Sequence, residues 1–128
     1  MFLKKETEYA LRLLEAIEEG CSAEPLSLKT FAKDSGISFL FLQRIASKLK
    51  DAGIIRARKG KVGGYWLSRP RKAISIIDII EAIEGPLNGT QEKNAFGRLN
   101  QSLKTFFKNK TLDELINTAP ANKRKPAV

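Results

Sequence analysis

Between Arg44 and Lys72 the chain sets ten Lys or Arg residues against one acid, Asp51. That window carries the same +9 as the whole 128-residue chain, so the remainder balances at thirteen cations against thirteen acids. Charge concentrated in one stretch is an electrostatic footprint for a polyanion, whereas scattered charge would serve solubility alone. Residues for other chemistries are scarce. There is no histidine, the commonest general base and nitrogen ligand for metals. The single cysteine, Cys21, allows no internal disulfide and no multi-cysteine metal site within the chain. Glu18 and Glu19 lie beside it and disfavour a thiolate. Gly60, Gly63 and Gly64 lack the strand-then-helix context of a phosphate-cradling loop. Paired carboxylates such as Glu18 and Glu19 sit on what reads as a structural helix. No catalytic residue, metal site or cofactor is expected, and the chain does not read as an enzyme.

The cationic window needs elements to present it. Ser38 caps the start of a helix that runs to Ala52, and Gly53 closes it. Leu42, Ile45, Ala46, Leu49 and Ala52 recur at helical spacing and face a core. A strand-like run, Ile54 to Arg58, follows, then a turn over 59–64 and a second run, Tyr65 to Leu67. Two such runs around a glycine-rich loop read as a hairpin. Upstream, Ser27 caps a short helix to about Asp34, and Ser35-Gly36-Ile37 is a tight turn. Helix, glycine turn, helix and basic hairpin together spell a winged helix-turn-helix. In that geometry the second helix offers its N-terminal residues to the major groove of DNA. Those residues are Phe39, Leu40, Gln43 and Arg44, with Phe41 half inside. Phe39 and Phe41 pack into the core, or else Phe39 or Leu40 meets a thymine methyl.

The first helix is expected over residues 6 to about 19, with Tyr9, Ala10, Leu13, Leu14 and Ile17 in one stripe and Gly20 ending it. After the hairpin, Ser75 caps a helix running to about Glu84, which Gly85-Pro86 stops. A further helix, Ala95 to Lys108, carries Phe96, Leu99, Leu103, Phe106 and Phe107. This wide stripe packs either on its own domain or on a second subunit, and docking on a second subunit is favoured. Thr111 to Glu114 is a capping box for a last short helix. Beyond Pro120 the composition predicts disorder, with Lys123-Arg124-Lys125 as a solubilising tail. No apolar run approaches the ~20 residues of a membrane span, and no secretory signal precedes the first helix. A cytoplasmic setting is expected.

The order Tyr9-Ala10-Leu11-Arg12, Gly36-Ile37-Ser38, Gly53-Ile54-Ile55, Gly63-Gly64-Tyr65, Leu67-Ser68-Arg69-Pro70 and Glu84-Gly85-Pro86-Leu87 resembles the IscR/NsrR/CymR family of bacterial regulators. The resemblance spans nearly the whole chain, and its specific parts are the Gly-Gly-Tyr wing and the Glu-Gly-Pro-Leu element. It implies a homodimeric winged-helix regulator of transcription whose long C-terminal helix crosses onto the partner. The family's phosphate-contacting tyrosine falls on Tyr9, its base-reading position on Gln43 and its wing cation on Lys59. Cluster-binding members carry three cysteines in the loop after Glu-Gly-Pro-Leu, whereas Asn88 to Asn94 here has none. Glu6 and Glu8 flank Thr7 where relatives often have basic or small residues.

The expected architecture is mostly α with a small β-hairpin wing. A DNA-binding domain covers 1–87, a loop and dimerisation helix 88–118, and a basic tail 119–128. The expected function is sequence-specific DNA binding by a homodimer on a palindromic operator, as a repressor without an iron–sulfur cluster. Its effector, a small molecule or a protein, is unidentified. Phosphate or minor-groove contacts fall to Arg44, Lys48, Arg56, Arg58, Lys59 and Lys61, and base edges to Gln43 with Ser38. The rival reading is a protein–protein module whose basic face meets an acidic partner; an RNA-binding winged helix is weaker, because no stacking aromatics line a sheet.

Overall fold

The computed structural model describes residues 3–20, 23–60, 63–86 and 93–118. Its helices are α1 (Lys5–Ala16), α2 (Leu28–Ser35), α3 (Phe39–Asp51), α4 (Ile76–Glu84), α5 (Ala95–Lys108) and α6 (Leu112–Thr118). A hairpin of β1 (Ile55–Arg58) and β2 (Gly64–Leu67) follows α3, and a single 3-10 turn, Arg71–Ala73, precedes α4. This is the winged helix-turn-helix that the sequence predicts.

Capping residues set the boundaries. Ser27 accepts a hydrogen bond from the Thr30 amide and Ser38 from the Phe41 amide, each at 3.2 Å. Between the two helices Gly36 adopts a left-handed backbone, φ 76°, which a glycine reaches without a Cβ penalty. Gly53 does the same after α3, at φ 77°, and the Ile54 amide returns to the Leu49 carbonyl at 3.0 Å. The core gathers Ala10, Leu13, Leu14 and Ile17 with Leu42, Ile45, Leu49, Ile54, Ile79 and Ile80. The inner stripes of α1, α3 and α4 therefore meet one another.

The first helix is shorter than its apolar stripe suggests. It ends at Ala16, and Ile17 is extended but wholly buried. Arg71 explains the early end. Its guanidinium donates to the Ile17 carbonyl at 3.0 Å and the Glu15 carbonyl at 3.4 Å, satisfying acceptors that a helix end leaves open. Glu18 and Glu19 consequently lie off the helix and accept from the Glu24 and Arg71 amides.

In the hairpin Ile55 faces Leu67, Arg56 faces Trp66, Ala57 faces Tyr65 and Arg58 faces Gly64. Leu26 adds an antiparallel bridge to Tyr65, with hydrogen bonds of 2.9 and 3.0 Å. That bridge requires Gly64, since a Cβ there would stand 2.7 Å from the Leu26 carbonyl oxygen. At the C-terminal end, the Ile76 amide donates to the Lys110 carbonyl and the Leu112 amide to the Ile74 carbonyl. Leu112, 1% exposed, joins the core, so the last helices are tied to the body that carries α3.

Candidate nucleic-acid interface

The outer side of α3 emerges from its own periodicity. With Leu42, Ile45, Ala46 and Leu49 buried, Leu40, Gln43, Arg44 and Ser47 are left in solvent. Ser38, at the N-cap, is exposed as well. Leu40 is 67% exposed, while Phe39 and Phe41 are half-buried and pack against the core. Of the two readings of the apolar triplet, packing holds for both phenylalanines, and Leu40 alone is presented outward.

The flank of α3 toward α1 is built from aromatic and cationic pairs. Tyr9 meets Phe41 edge-on with ring centroids 5.6 Å apart. The Arg44 guanidinium lies 6.0 Å from the Phe41 ring. Lys5 and Arg12 approach the Tyr9 ring at 6.0 and 5.8 Å. Lys5, Tyr9 and Arg12 stand four and three residues apart, so they form one line along α1. Tyr9 is legible in the sequence, whereas the cations at its sides are announced only by their spacing around it. Lys48, one turn beyond Arg44, meets the Glu6 carboxylate at 3.3 Å.

The hairpin arranges its cations around Trp66. Arg56 and Arg58 lie 5.6 and 5.1 Å from that ring, and the indole N–H donates to the Ala23 carbonyl at 3.1 Å. A planar guanidinium stacks on an aromatic face and keeps donors for a phosphate. Both arginines are exposed, as is Lys59 at the start of the turn. Lys61 lies outside the described residues, as do Cys21 and most of the 88–94 loop.

The +9 of the Arg44–Lys72 window is not all presented outward. Arg69 donates to the Gly53 and Ala73 carbonyls at 3.0 and 2.8 Å and pairs with Asp78 at 3.2 Å. It clamps the end of α3 to α4, as Arg71 clamps the end of α1. Counting charges along the sequence cannot separate such clamps from surface cations.

On α5 the expected stripe divides. Phe96, Leu99 and Phe106 are 60%, 55% and 55% exposed. Leu103 is half-buried, and Phe107 turns back to pack against the core. The helix is held to the body by the Ser75 hydroxyl, which donates to the carbonyls of Phe107 and Lys108. Among the described residues no helix is long and apolar enough to cross a membrane.

Comparison with known proteins places this geometry. A family model described as "Rrf2: Iron-dependent Transcriptional regulator" matches residues 3–118. The HTH-type transcriptional regulator CymR of Bacillus subtilis is 26% identical over 125 residues, 91% of this chain and 91% of that protein. IscR of Escherichia coli O1:K1 is 25% identical over 131 residues, covering 91% of this chain and 81% of its own. The structure of CymR, the global cysteine regulator of B. subtilis, superposes with a TM-score of 0.74 at 25% identity, over 92% of this chain and 98% of that one. T. potens IscR gives a TM-score of 0.72 at 25% identity, over 100% of this chain and 93% of that one.

The iron in the family's description can be tested against the donor set. Cluster iron is held mainly by thiolates, with histidine as the usual replacement. Here one cysteine and no histidine are available, and residues 88–94 read Asn-Gly-Thr-Gln-Glu-Lys-Asn. Among the described residues no three His, Cys, Asp or Glu side chains gather closely enough to hold a metal ion. Carboxylates and amides are poor substitutes for soft ligands. These donors do not fit an iron–sulfur cluster.

Proposed function

This chain belongs to the Rrf2 family of DNA-binding transcriptional regulators, which are not enzymes, and from that premise we propose that it is a cluster-free, homodimeric repressor of a palindromic operator. One observation carries the proposal. The α5 helix leaves Phe96, Leu99 and Phe106 more than half exposed, an apolar stripe that a second copy would cover. A two-fold dimer would set two α3 helices about one DNA turn, ~34–36 Å, or a multiple of it apart.

In this reading Gln43 and Ser38 face base edges, with Leu40 against a thymine methyl. Arg44, Arg56, Arg58, Lys59 and Lys61 supply phosphate or minor-groove contacts, and Tyr9 adds one from α1. The CymR and IscR names support regulation of transcription without naming this chain's operator or effector. The poor donor set supports a sensor that holds no cluster. A small molecule or a partner protein would then supply the signal.

Selecting genomic fragments bound by the purified protein, followed by footprinting and sedimentation, tests the proposal. Inverted half-sites protected by a dimer, from protein purified anaerobically without stoichiometric iron or sulfide, are the expected result. A monomer at micromolar concentration, or a brown preparation whose DNA affinity changed on iron removal, would contradict it.

A further inference from the structure

We propose that Glu6 attenuates DNA affinity by holding Lys48 of α3 in an ion pair. The proposal rests on the reading that α3 and its α1 flank face duplex DNA. The Glu6 and Lys48 side chains, 20% and 37% exposed, meet at 3.3 Å. The two residues lie 42 apart in sequence on different helices, so the pair depends on how α1 and α3 pack.

Glu6 is not a loose surface acid. Its neighbour Thr7 is wholly buried, and the Thr7 hydroxyl donates to Glu84 at 2.7 Å. The Lys4 amide donates to the same carboxylate oxygen at 2.8 Å. Glu84, at the end of α4, thereby fixes the turn of α1 that carries Glu6. Lys48 follows Phe41 and Arg44 at intervals of three and four residues, along the flank where Tyr9 and Arg44 converge. A phosphate backbone lying along that flank meets Arg44 as a cation and Lys48 as half of a neutral pair.

A partly exposed ion pair adds little to fold stability. Its effect on DNA binding is larger, because a cation held by a carboxylate releases no counterion. Freeing one such cation steepens the salt slope by about 0.9, equivalent to roughly eightfold tighter binding at 0.1 M salt. Since phosphates carry the effect, specific and random duplexes should gain alike.

The test is a double-mutant cycle of Glu6→Gln and Lys48→Met in the full chain, read as duplex affinity against salt. Glu6→Gln should bind about eightfold tighter per protomer with a steeper slope and an unchanged melting temperature. Lys48→Met should abolish that gain when combined with Glu6→Gln, returning binding to the wild-type level, because the double variant restores the charge of the neutral pair. If the gain survives in Lys48→Met, general charge repulsion explains it and the pair does not. Glu8→Gln, which removes an exposed acid from the same turn of α1, should gain clearly less than Glu6→Gln, and an equal gain would overturn the inference. Wild-type protein that binds no duplex would instead remove the underlying reading.

Discussion

Helices α3 and α5 are written in nearly the same way and used in opposite ways. They have 13 and 14 residues, a capped N-terminus and an amphipathic pattern. In α3 the apolar stripe is buried, so polar Gln43 and Arg44 are left outside. In α5 only Gly97 is buried, and Phe96, Leu99 and Phe106 are left outside. Periodicity states that a helix has an apolar face; it does not state whose surface covers that face. The charge of the other side helps to decide. The outer side of α3 belongs to a strongly cationic stretch, whereas α5 offers solvent a hydrophobic surface that a monomer gains nothing by displaying.

The contrast breaks most sharply on α5. Replacing Leu99 and Phe106 with Glu places charges on the outward stripe. The protein should sediment as a monomer and lose operator affinity about 10^3-fold, ~4 kcal/mol, because two linked half-sites become two independent ones. Its melting temperature should fall and lose its dependence on protein concentration, because association no longer stabilises the folded state. A variant that stays dimeric would show that α5 displays its stripe for some other purpose.

The same kind of truncation inside α3 should behave in reverse. Leu49 is wholly buried among Leu13, Ile45 and Ile54 in the core. Leu49→Ala should cost about 3 kcal/mol of stability, from lost transfer free energy and the cavity left behind. Urea unfolding would measure it. A cost below about 1 kcal/mol would mean that this core collapses around the gap and that α3 is less firmly seated than its burial indicates.

Much of α3 and the hairpin was legible in advance. Ser38, Gly36 and Gly53 act locally, and their residue types announce the cap or the left-handed backbone that each supplies. Contacts between segments distant in sequence were not legible. The end of α1 at Ala16 is decided by Arg71, whose guanidinium arrives from 54 residues away. The Leu26–Tyr65 bridge joins a loop to a strand with no pattern in either to announce it. Arg69 and Arg71 counted as surface charge because composition does not distinguish a clamp from a free cation. The Glu6–Lys48 pair escaped for the same reason. On the candidate interface, sequence located the helix and the hairpin, and packing showed which of their cations are already engaged.

The smallest effect should come from Gln43, and it sharpens the comparison by testing what the polar side of α3 does. Gln43 is exposed one turn past the Ser38 cap, beside Arg44 and clear of the aromatic flank at Phe41. In the major groove a glutamine amide pairs with adenine by donating to N7 and accepting from the N6 amino group, a pairing the other bases do not match. Gln43→Ala should therefore cost roughly 1–3 kcal/mol on the best operator and relax the choice of one base pair in each half-site. The fold should be indifferent, since no core contact is lost. Binding measured on the selected operator, on single-base variants of it and on random duplex separates the alternatives. A loss confined to the operator assigns Gln43 to base reading. An equal loss on random duplex makes it a positioning contact, and α3 would then owe its specificity to Ser38, Leu40 or the hairpin.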